Sequence, residues 1–383
     1  MPHAPIGYLI GSVVTAAITY LSLWPRPTNG PRATPTSVLA MAGSELPHIF
    51  LLLNATSTTL AITEGAPFSI VGGVALALSS LAAIGQVAVI VLASRGRAAI
   101  SDSLAAAYGD VGLSRSPGWR HWLRAALAPA RLRRRSVERT SAIRYGPDRA
   151  AHLLDLYRAR DLKAAKGFVI HFHGGGFFSG RRSKEARLLM EQLAAAGWIG
   201  ISADYRLEPA VFPDQVVDAK RVLAWTREHA RDYGADPETV VLVGGSAGAH
   251  IATICALTAG DPRFQPGFED ADTRVSAVIG LYGYYGPAPT RGLPSAPEDY
   301  LSEATGRTSS VDIPPTLIVH GDRDPMVAPA MARRMAEQLR DASADQVVYV
   351  ELPGGHHTLD RFDSLRCSAL TDGVNDFLQR ALG

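Results

Sequence analysis

The sequence predicts an α/β protein with a mainly parallel central sheet and helices on both faces, preceded by an α-helical transmembrane region. From about residue 136, short apolar runs alternate with stretches of helical periodicity. Continuous apolar runs such as "TVVLVGG" are typical of strands that are buried on both faces. The first hundred residues instead contain long uncharged segments that a soluble domain rarely carries. We therefore expect a transmembrane region over residues 1–97, a linker with amphipathic or cap helices over 98–135, and an α/β domain over 136–383.

The amino-terminal region holds three apolar segments. Ile6–Trp24 is uncharged, has close to the roughly 20 residues that span a bilayer, and ends in aromatic residues suited to the interface. A cleaved signal peptide is the alternative, but the stretch before this segment lacks positive charge. Phe68–Ala93 is the strongest spanning candidate. Val38–Ile62 contains polar residues, so spanning, re-entrant and flat arrangements all stay open.

Arginines at the ends of these segments predict the topology. Arg26 and Arg32 follow the first segment, and Arg95 and Arg97 follow the last. Three spans place both pairs on one face of the membrane, whereas two spans would separate them. Because positively charged flanks stay inside, we expect a multi-pass protein of the cell membrane with an external amino terminus and a cytoplasmic α/β domain.

The predicted linker contains an amphipathic helix. Ser116 and Pro117 are typical of a helix start, and Trp119 and Trp122 follow on one face. With the basic run Arg131–Arg135, this helix is interpreted either as an interfacial helix on anionic lipid or as a helix over the mouth of the α/β domain.

The remaining composition excludes several classes of protein. A formal net charge of +2 argues against a nucleic-acid binder, and Cys255 and Cys367 are too few for a disulfide framework. His171 and His173 are spaced like zinc ligands, but no further ligands complete a metal site. The glycine runs lack the residues of phosphate-binding and dinucleotide-binding motifs. We therefore expect no metal or cofactor, and the oligomeric state stays open.

Beyond residue 136 the alternation of apolar runs and helical stretches can be assigned to elements. The predicted strands are "HLLDLYR", "GFVIHFH", "WIGISAD", "TVVLVGG", "RVSAVIGLY", "PTLIVHG" and "QVVYVELP". The predicted helices are Ser183–Ala196, Pro213–Tyr233, Ala247–Ala259, Ala328–Leu339 and Leu370–Leu382. A long loop rich in glycine and proline is predicted over Tyr282–Tyr300.

Two glycine-rich motifs follow predicted strands. In "VLVGGSAGAH", Gly244, Ser246 and Gly248 form G-x-S-x-G at a strand-to-helix junction, the pattern of a nucleophile elbow. In "FHGGGFFSG", His173 is followed by Gly174, Gly175 and Gly176 directly after an apolar run. A backbone without side chains lets amide N–H groups approach a ligand closely.

A serine hydroxyl becomes a nucleophile only beside a base that a carboxylate orients. The carboxyl-terminal third supplies both groups, because Asp322 and Asp324 follow one predicted strand, and His356 and His357 follow the next. The order serine, aspartate, histidine suits the motif. Spacing alone leaves open which aspartate and which histidine take part.

These motifs resemble the hormone-sensitive lipase family of α/β-hydrolases. "HGGG" at 173–176, "DYRLEP" at 204–209, "GGSAG" at 244–248, "DPM" at 324–326 and the histidine loop match the family pattern in order, over about residues 136–383. The resemblance implies an α/β-hydrolase fold and a serine ester hydrolase. The family's catalytic triad would be Ser246 as nucleophile, His357 as base and Asp324 as its orienter. Its oxyanion hole would be the amides of Gly175, Gly176 and Ala247.

Glu208 and Leu359 depart from the family pattern and leave the shape of the pocket open. The membrane segments resemble those of prenylcysteine methylesterase-like relatives, which implies a hydrophobic acyl ester or lipid substrate. Two alternatives stay open: a catalytically silent ligand-binding protein on the same fold, like the plant gibberellin receptors, and an amidase or formamidase with the same triad.

Overall fold

The computed structural model describes residues 5–28, 34–66, 69–109, 133–287, 299–301 and 313–383. The helix predicted after Ser116 and most of the loop predicted over Tyr282–Tyr300 lie outside the described residues.

The amino-terminal region is helical. Its helices are α1 (Ile6–Leu23), α2 (Pro35–Glu45), α3 (Pro47–Thr63), α4 (Ile70–Ser94) and α5 (Gly96–Tyr108). Among the described residues, two helical stretches are long and apolar enough to cross a membrane, Ile6–Leu23 and Ile70–Tyr108. Helices α2 and α3 would add a third span only if taken together, and they are bent by 89° at the break between them.

Polar side chains join the first helices to one another. The Ser12 hydroxyl lies 2.8 Å from that of Ser79, which links α1 to α4. The Asn54 amide of α3 donates to the Ser79 carbonyl at 2.8 Å. Because these groups pair inside the bundle, α1, α3 and α4 can present apolar side chains outward, as Ile10, Leu53 and Leu81 do.

The rest of the described chain is built on one eight-stranded sheet. The strands are β1 (Val137–Arg144), β2 (Leu153–Ala159), β3 (Phe168–Phe172), β4 (Ile199–Ala203), β5 (Val240–Gly245), β6 (Ala277–Leu281), β7 (Thr316–Gly321) and β8 (Val347–Leu352). Their order in the sheet is β1-β2-β4-β3-β5-β6-β7-β8. The β1–β2 and β2–β4 pairs are antiparallel and all other pairs are parallel. The predicted mainly parallel sheet is confirmed.

Helices cover both faces of this sheet. They are α6 (Arg187–Ala195), α7 (Asp214–Glu228), α8 (Ala247–Leu257), α9 (Pro329–Ala342) and α10 (Leu365–Leu382). Helices α7, α8 and α9 contribute to one apolar core, and α5, α6 and α10 to the other. The carboxyl ends of β3, β5 and β7 therefore meet at one edge, where open α/β sheets bind ligands.

Several details differ from the predictions. Helix α6 begins at Arg187 instead of Ser183, and helix α7 ends at Glu228 instead of Tyr233. Strand β1 was not predicted, because "VERTSAIR" pairs on one side only and turns charged side chains outward. Helix α10 begins at Leu365 instead of Leu370, because the Ser364 hydroxyl caps its amino end by accepting from the Cys367 N–H. Helix α5 occupies part of the predicted linker, and its Ile100 and Leu104 are buried in the core of the sheet domain.

Candidate active site

Ser246 stands at a sharp turn between β5 and α8. Its backbone has φ +52° and ψ −114°, a conformation that a residue with a side chain rarely adopts. The flanking glycines are required by close backbone approach: a Cβ on Gly244 would lie 2.2 Å from the Gly248 carbonyl oxygen, and one on Gly248 would lie 2.0 Å from that of Phe172. The turn aims the Ser246 hydroxyl at the edge of the sheet, as the elbow motif predicts.

His357 lies between Ser246 and Asp324. Its Nε2 is 3.0 Å from the Ser246 Oγ, and its Nδ1 is 2.6 Å from the Asp324 Oδ2. The other carboxylate oxygen of Asp324 accepts the backbone N–H groups of Met326 at 2.8 Å and Val327 at 3.0 Å. Three side chains from the ends of three strands are thus within hydrogen-bonding distance in series.

The two partners change one another's proton affinity. Burial alone would raise the pKa of Asp324, but the charge of His357 and hydrogen bonds from His320 and His357 hold it well below its usual value. Burial alone would lower the pKa of His357, but the charge and hydrogen bond of Asp324 raise it above its usual value. The arrangement favours an ionised carboxylate and a histidine that readily accepts a proton.

The neighbouring aspartate and histidine support the loops. Asp322 accepts the Gly354 N–H at 2.7 Å. His356 donates from Nε2 to the Ser22 carbonyl at 2.9 Å, in α1. Both residues therefore hold the histidine loop in place, and neither hydrogen-bonds to Ser246 in the described structure.

The glycine loop after β3 faces Ser246. Gly175 has φ +112° and Gly176 has φ +60°, which favour glycine. Within the described residues, the amides of Gly175, Gly176 and Ala247 donate to no protein acceptor, and all three residues line the same cavity as Ser246. These N–H groups are free to bind an oxygen atom of a ligand.

His173 and His171 shape the strand end that carries this loop. His173 donates from Nδ1 to the Gly174 carbonyl at 2.7 Å, and its ring stacks on Tyr205 with centroids 4.5 Å apart. The buried His171 pairs with the Ser202 hydroxyl at 3.1 Å. The described residues include no cluster of three or more potential metal ligands.

Sequence reasoning missed a pair of buried carboxyl groups beside the site. Glu185 accepts the Gly174 N–H at 2.6 Å and lines the cavity. Asp360 accepts the Tyr282 hydroxyl at 2.7 Å, and the Tyr282 ring meets the His357 ring edge-on with centroids 4.9 Å apart. The only sequence signal for Glu185 was an acidic residue within the basic stretch that follows the glycine loop.

The cavity in front of Ser246 has a volume of about 880 Å³. Its walls come from the glycine loop, the loops after β7 and β8, and helix α2. Ser37, Val38, Met41 and Ala42 of α2 line it together with Met326 and Phe362. A cavity of this volume with mostly apolar walls is typical of a small-molecule binding site.

Family models match the sheet domain. One described as BD-FAE matches residues 154–291, and one described as TAP-like protein matches residues 277–381. The chain is 37% identical over 265 residues to "Esterase LipQ" of Mycobacterium tuberculosis (strain ATCC 25618 / H37Rv), covering 64% of this chain and 63% of that protein, just under two thirds of its length. It is 33% identical over 407 residues to "Probable carboxylic ester hydrolase LipM" of the same strain, covering 97% of this chain and 93% of that protein.

Solved esterase structures share the fold. The butyrate-bound esterase Est2 of Thermogutta terrifontis has 26% sequence identity and a TM-score of 0.52, covering 64% of this chain and 94% of that one. The same esterase phosphoramylated by tabun has 25% identity and a TM-score of 0.54, with the same coverage. Fold, site and relatives define a serine ester hydrolase with the α/β-hydrolase fold. The chain belongs to the hormone-sensitive lipase family.

Proposed function

We propose that the protein is a membrane-anchored carboxylesterase or lipase that cleaves carboxylic esters through Ser246, His357 and Asp324 and an acyl-enzyme. The observation that carries the proposal is the continuous series of hydrogen bonds, with 3.0 Å between Ser246 Oγ and His357 Nε2 and 2.6 Å between His357 Nδ1 and Asp324 Oδ2. A catalytically silent binding protein has no need of such a series.

In the first half of the reaction, His357 takes the proton of the Ser246 hydroxyl as the oxygen attacks the ester carbonyl. Asp324 holds the imidazole in the tautomer that presents a bare Nε2 to the serine, and it stabilises the imidazolium that forms. The imidazolium then protonates the departing alcohol. The acyl group stays bound to Ser246.

The carbonyl oxygen becomes negatively charged during this attack. The amides of Gly175, Gly176 and Ala247 line the cavity beside Ser246 and are free to donate to that oxygen. One such donor is worth about 3 kcal/mol of transition-state stabilisation. In the second half, His357 activates water, which releases the acid from Ser246.

The membrane part of the proposal rests on the apolar helices. Helices α1 and α4 are long and apolar enough to cross a bilayer. The carboxyl end of α1 and helix α5, which follows α4, both contact the catalytic domain, so the chain has to return across the bilayer between α1 and α4. Although only α2 and α3 together are long enough by length and composition, we propose that α3, with 17 residues, makes this crossing. Arg26, Arg95 and Arg97 then share one side of the membrane with the catalytic domain. The proposed localisation is the cell membrane, with the catalytic domain in the cytoplasm.

The test compares the detergent-solubilised protein with Ser246→Ala on a series of esters of increasing acyl length. We expect the wild-type protein to hydrolyse esters and to react with a fluorophosphonate probe, and the variant to do neither. If the two proteins are equally inert and neither reacts with the probe, the binding-protein alternative holds. Acyl amides in the same assay decide between esterase and amidase activity.

A further inference from the structure

Helix α2 lies where the amino-terminal helices meet the catalytic domain. It is bent by 89° from α3, so if α3 crosses the bilayer, α2 runs parallel to the membrane plane. Two of its apolar side chains are exposed, Val38 at 47% and Leu39 at 43%. An in-plane helix with exposed apolar side chains is suited to the boundary between headgroups and acyl chains.

The same helix forms a wall of the active-site cavity. Ser37, Val38 and Met41 line the cavity that also contains Ser246 and His357. Val38 both lines this cavity and is nearly half exposed, so it stands at the rim where the cavity opens to the surroundings. The cavity therefore opens beside the surface of α2 that we assign to the membrane interface.

Buried and partly buried contacts hold α2 against the histidine loop. The Thr358 hydroxyl contacts the Met41 sulfur at 2.7 Å, and the Ser44 hydroxyl donates to the Gly354 carbonyl at 3.0 Å. Gly354 and Thr358 both belong to the loop that carries His357. Helix α2 is therefore attached to the loop that carries His357 and forms part of the active site.

We propose that substrate enters the site from the membrane interface past Val38, and that α2 holds its acyl chain. The preferred substrate is then a long-chain ester dissolved in the bilayer, instead of a short-chain ester dissolved in water. Such a route keeps the acyl chain among apolar side chains from the bilayer to Ser246, which avoids exposing its methylene groups to water. This inference rests on the proposed function and adds its substrate class.

The first test uses the full chain in vesicles of ether-linked phosphatidylcholine, which the enzyme cannot hydrolyse. The probes are 4-methylumbelliferyl oleate in the vesicles and water-soluble 4-methylumbelliferyl acetate. We expect oleate turnover to follow the surface mole fraction of the ester when its bulk concentration is constant. If the enzyme hydrolyses the acetate but its oleate rate does not depend on the surface mole fraction, the inference is wrong and the proposed function still stands. If the enzyme hydrolyses neither ester, both the inference and the proposed function are wrong.

The second test compares Val38→Arg with Leu39→Arg, which adds the same charge to the adjacent exposed position outside the cavity lining. Passing an acyl chain next to a charged side chain costs free energy because the charge is held in apolar surroundings. An arginine at the rim of the cavity therefore obstructs the entry of the substrate's acyl chain. We expect Val38→Arg to lower the ratio of oleate to acetate turnover by about tenfold or more, and Leu39→Arg to change it less than about twofold. An unchanged ratio in Val38→Arg, or an equal fall in both variants, would overturn the inference.

Discussion

Glu185 is the buried residue whose chemistry bears most directly on the glycine loop. It accepts the N–H of Gly174, the residue before the two glycines proposed as oxyanion donors. Burial and, next, the charge of Asp360 raise the pKa of Glu185 to about 7. The Gly174 N–H therefore donates to a carboxyl group that is partly ionised at neutral pH, and this hydrogen bond orients the first amide of the glycine loop.

We predict that Glu185→Ala lowers kcat by about 10-fold to 100-fold with a smaller change in KM, because a hydrogen bond to a charged acceptor is worth about 1.5–3 kcal/mol. Glu185→Gln keeps an acceptor oxygen and retains most of the activity. It also removes a negative charge that raises the pKa of His357, which must be neutral to accept the Ser246 proton. The acid limb of kcat/KM should therefore move to lower pH in Glu185→Gln. Steady-state kinetics with 4-methylumbelliferyl acetate across pH measure both effects.

Glu191 provides the matched control for this prediction. It is a buried carboxyl group of α6 that also accepts a backbone N–H, that of Arg134 at 2.8 Å, and it is outside the cavity lining. Glu191→Ala and Glu191→Gln should leave kcat and the pH profile close to wild type. Equal losses at positions 185 and 191 would show that Glu185 acts only on stability.

At the scale of elements, strands buried on both faces were predictable and contacts between distant segments were not. The apolar run of β5 and the glycines around Ser246 signalled a strand, a turn and a helix locally. Chain order and parallel strands predicted that an aspartate after β7 and a histidine after β8 would lie near Ser246. The choice of Asp324 and His357 over Asp322 and His356 rested on the family resemblance. No local pattern connects Glu45 to Arg366, which are 321 positions apart. The role of α2 as a cavity wall was hidden for the same reason.

The Glu45–Arg366 pair joins α2 to the catalytic domain. The two charged groups are fully buried, and Arg366 Nη1 lies 3.2 Å from Glu45 Oε1. The same guanidinium donates from Nη1 to the Ser44 carbonyl at 2.8 Å and from Nε to the Pro353 carbonyl at 2.9 Å. Arg366 thus braces both the end of α2 and the start of the histidine loop.

We predict that Glu45→Ala destabilises the protein by about 3–5 kcal/mol, because it leaves the Arg366 charge buried without its partner. Arg333 and Glu351 provide the control, since Arg333 is half exposed in this pair. Arg333→Ala should cost less than about 1 kcal/mol. Thermal unfolding of the detergent-solubilised proteins measures both. A melting temperature for Glu45→Ala equal to that of Arg333→Ala would contradict the prediction.

At the scale of the whole molecule, the contacts of the helices define two opposite ends of the amino-terminal bundle. The carboxyl end of α1 contacts the catalytic domain through the Ser22 carbonyl, and α4 continues into α5, which packs in the core of that domain. Helix α3 starts beside the Glu45–Arg366 pair and, at 17 residues, extends about 25 Å away from it. The turn that contains Glu64 therefore lies at the end of the bundle opposite the catalytic domain.

This arrangement predicts that Glu64 and the catalytic domain lie on opposite sides of the cell membrane. Cys255 and Cys367 are buried, so a single added cysteine can be detected with a membrane-impermeant maleimide. Because the arginines lie at the catalytic end, we expect Glu64→Cys to react in intact cells and Lys163→Cys, at an exposed position of the catalytic domain, to react only after permeabilisation. The reverse pattern would place the catalytic domain outside. Reaction of both from one side would mean that α4 does not cross the bilayer, because α4 is the helix that lies between Glu64 and the catalytic domain in the chain.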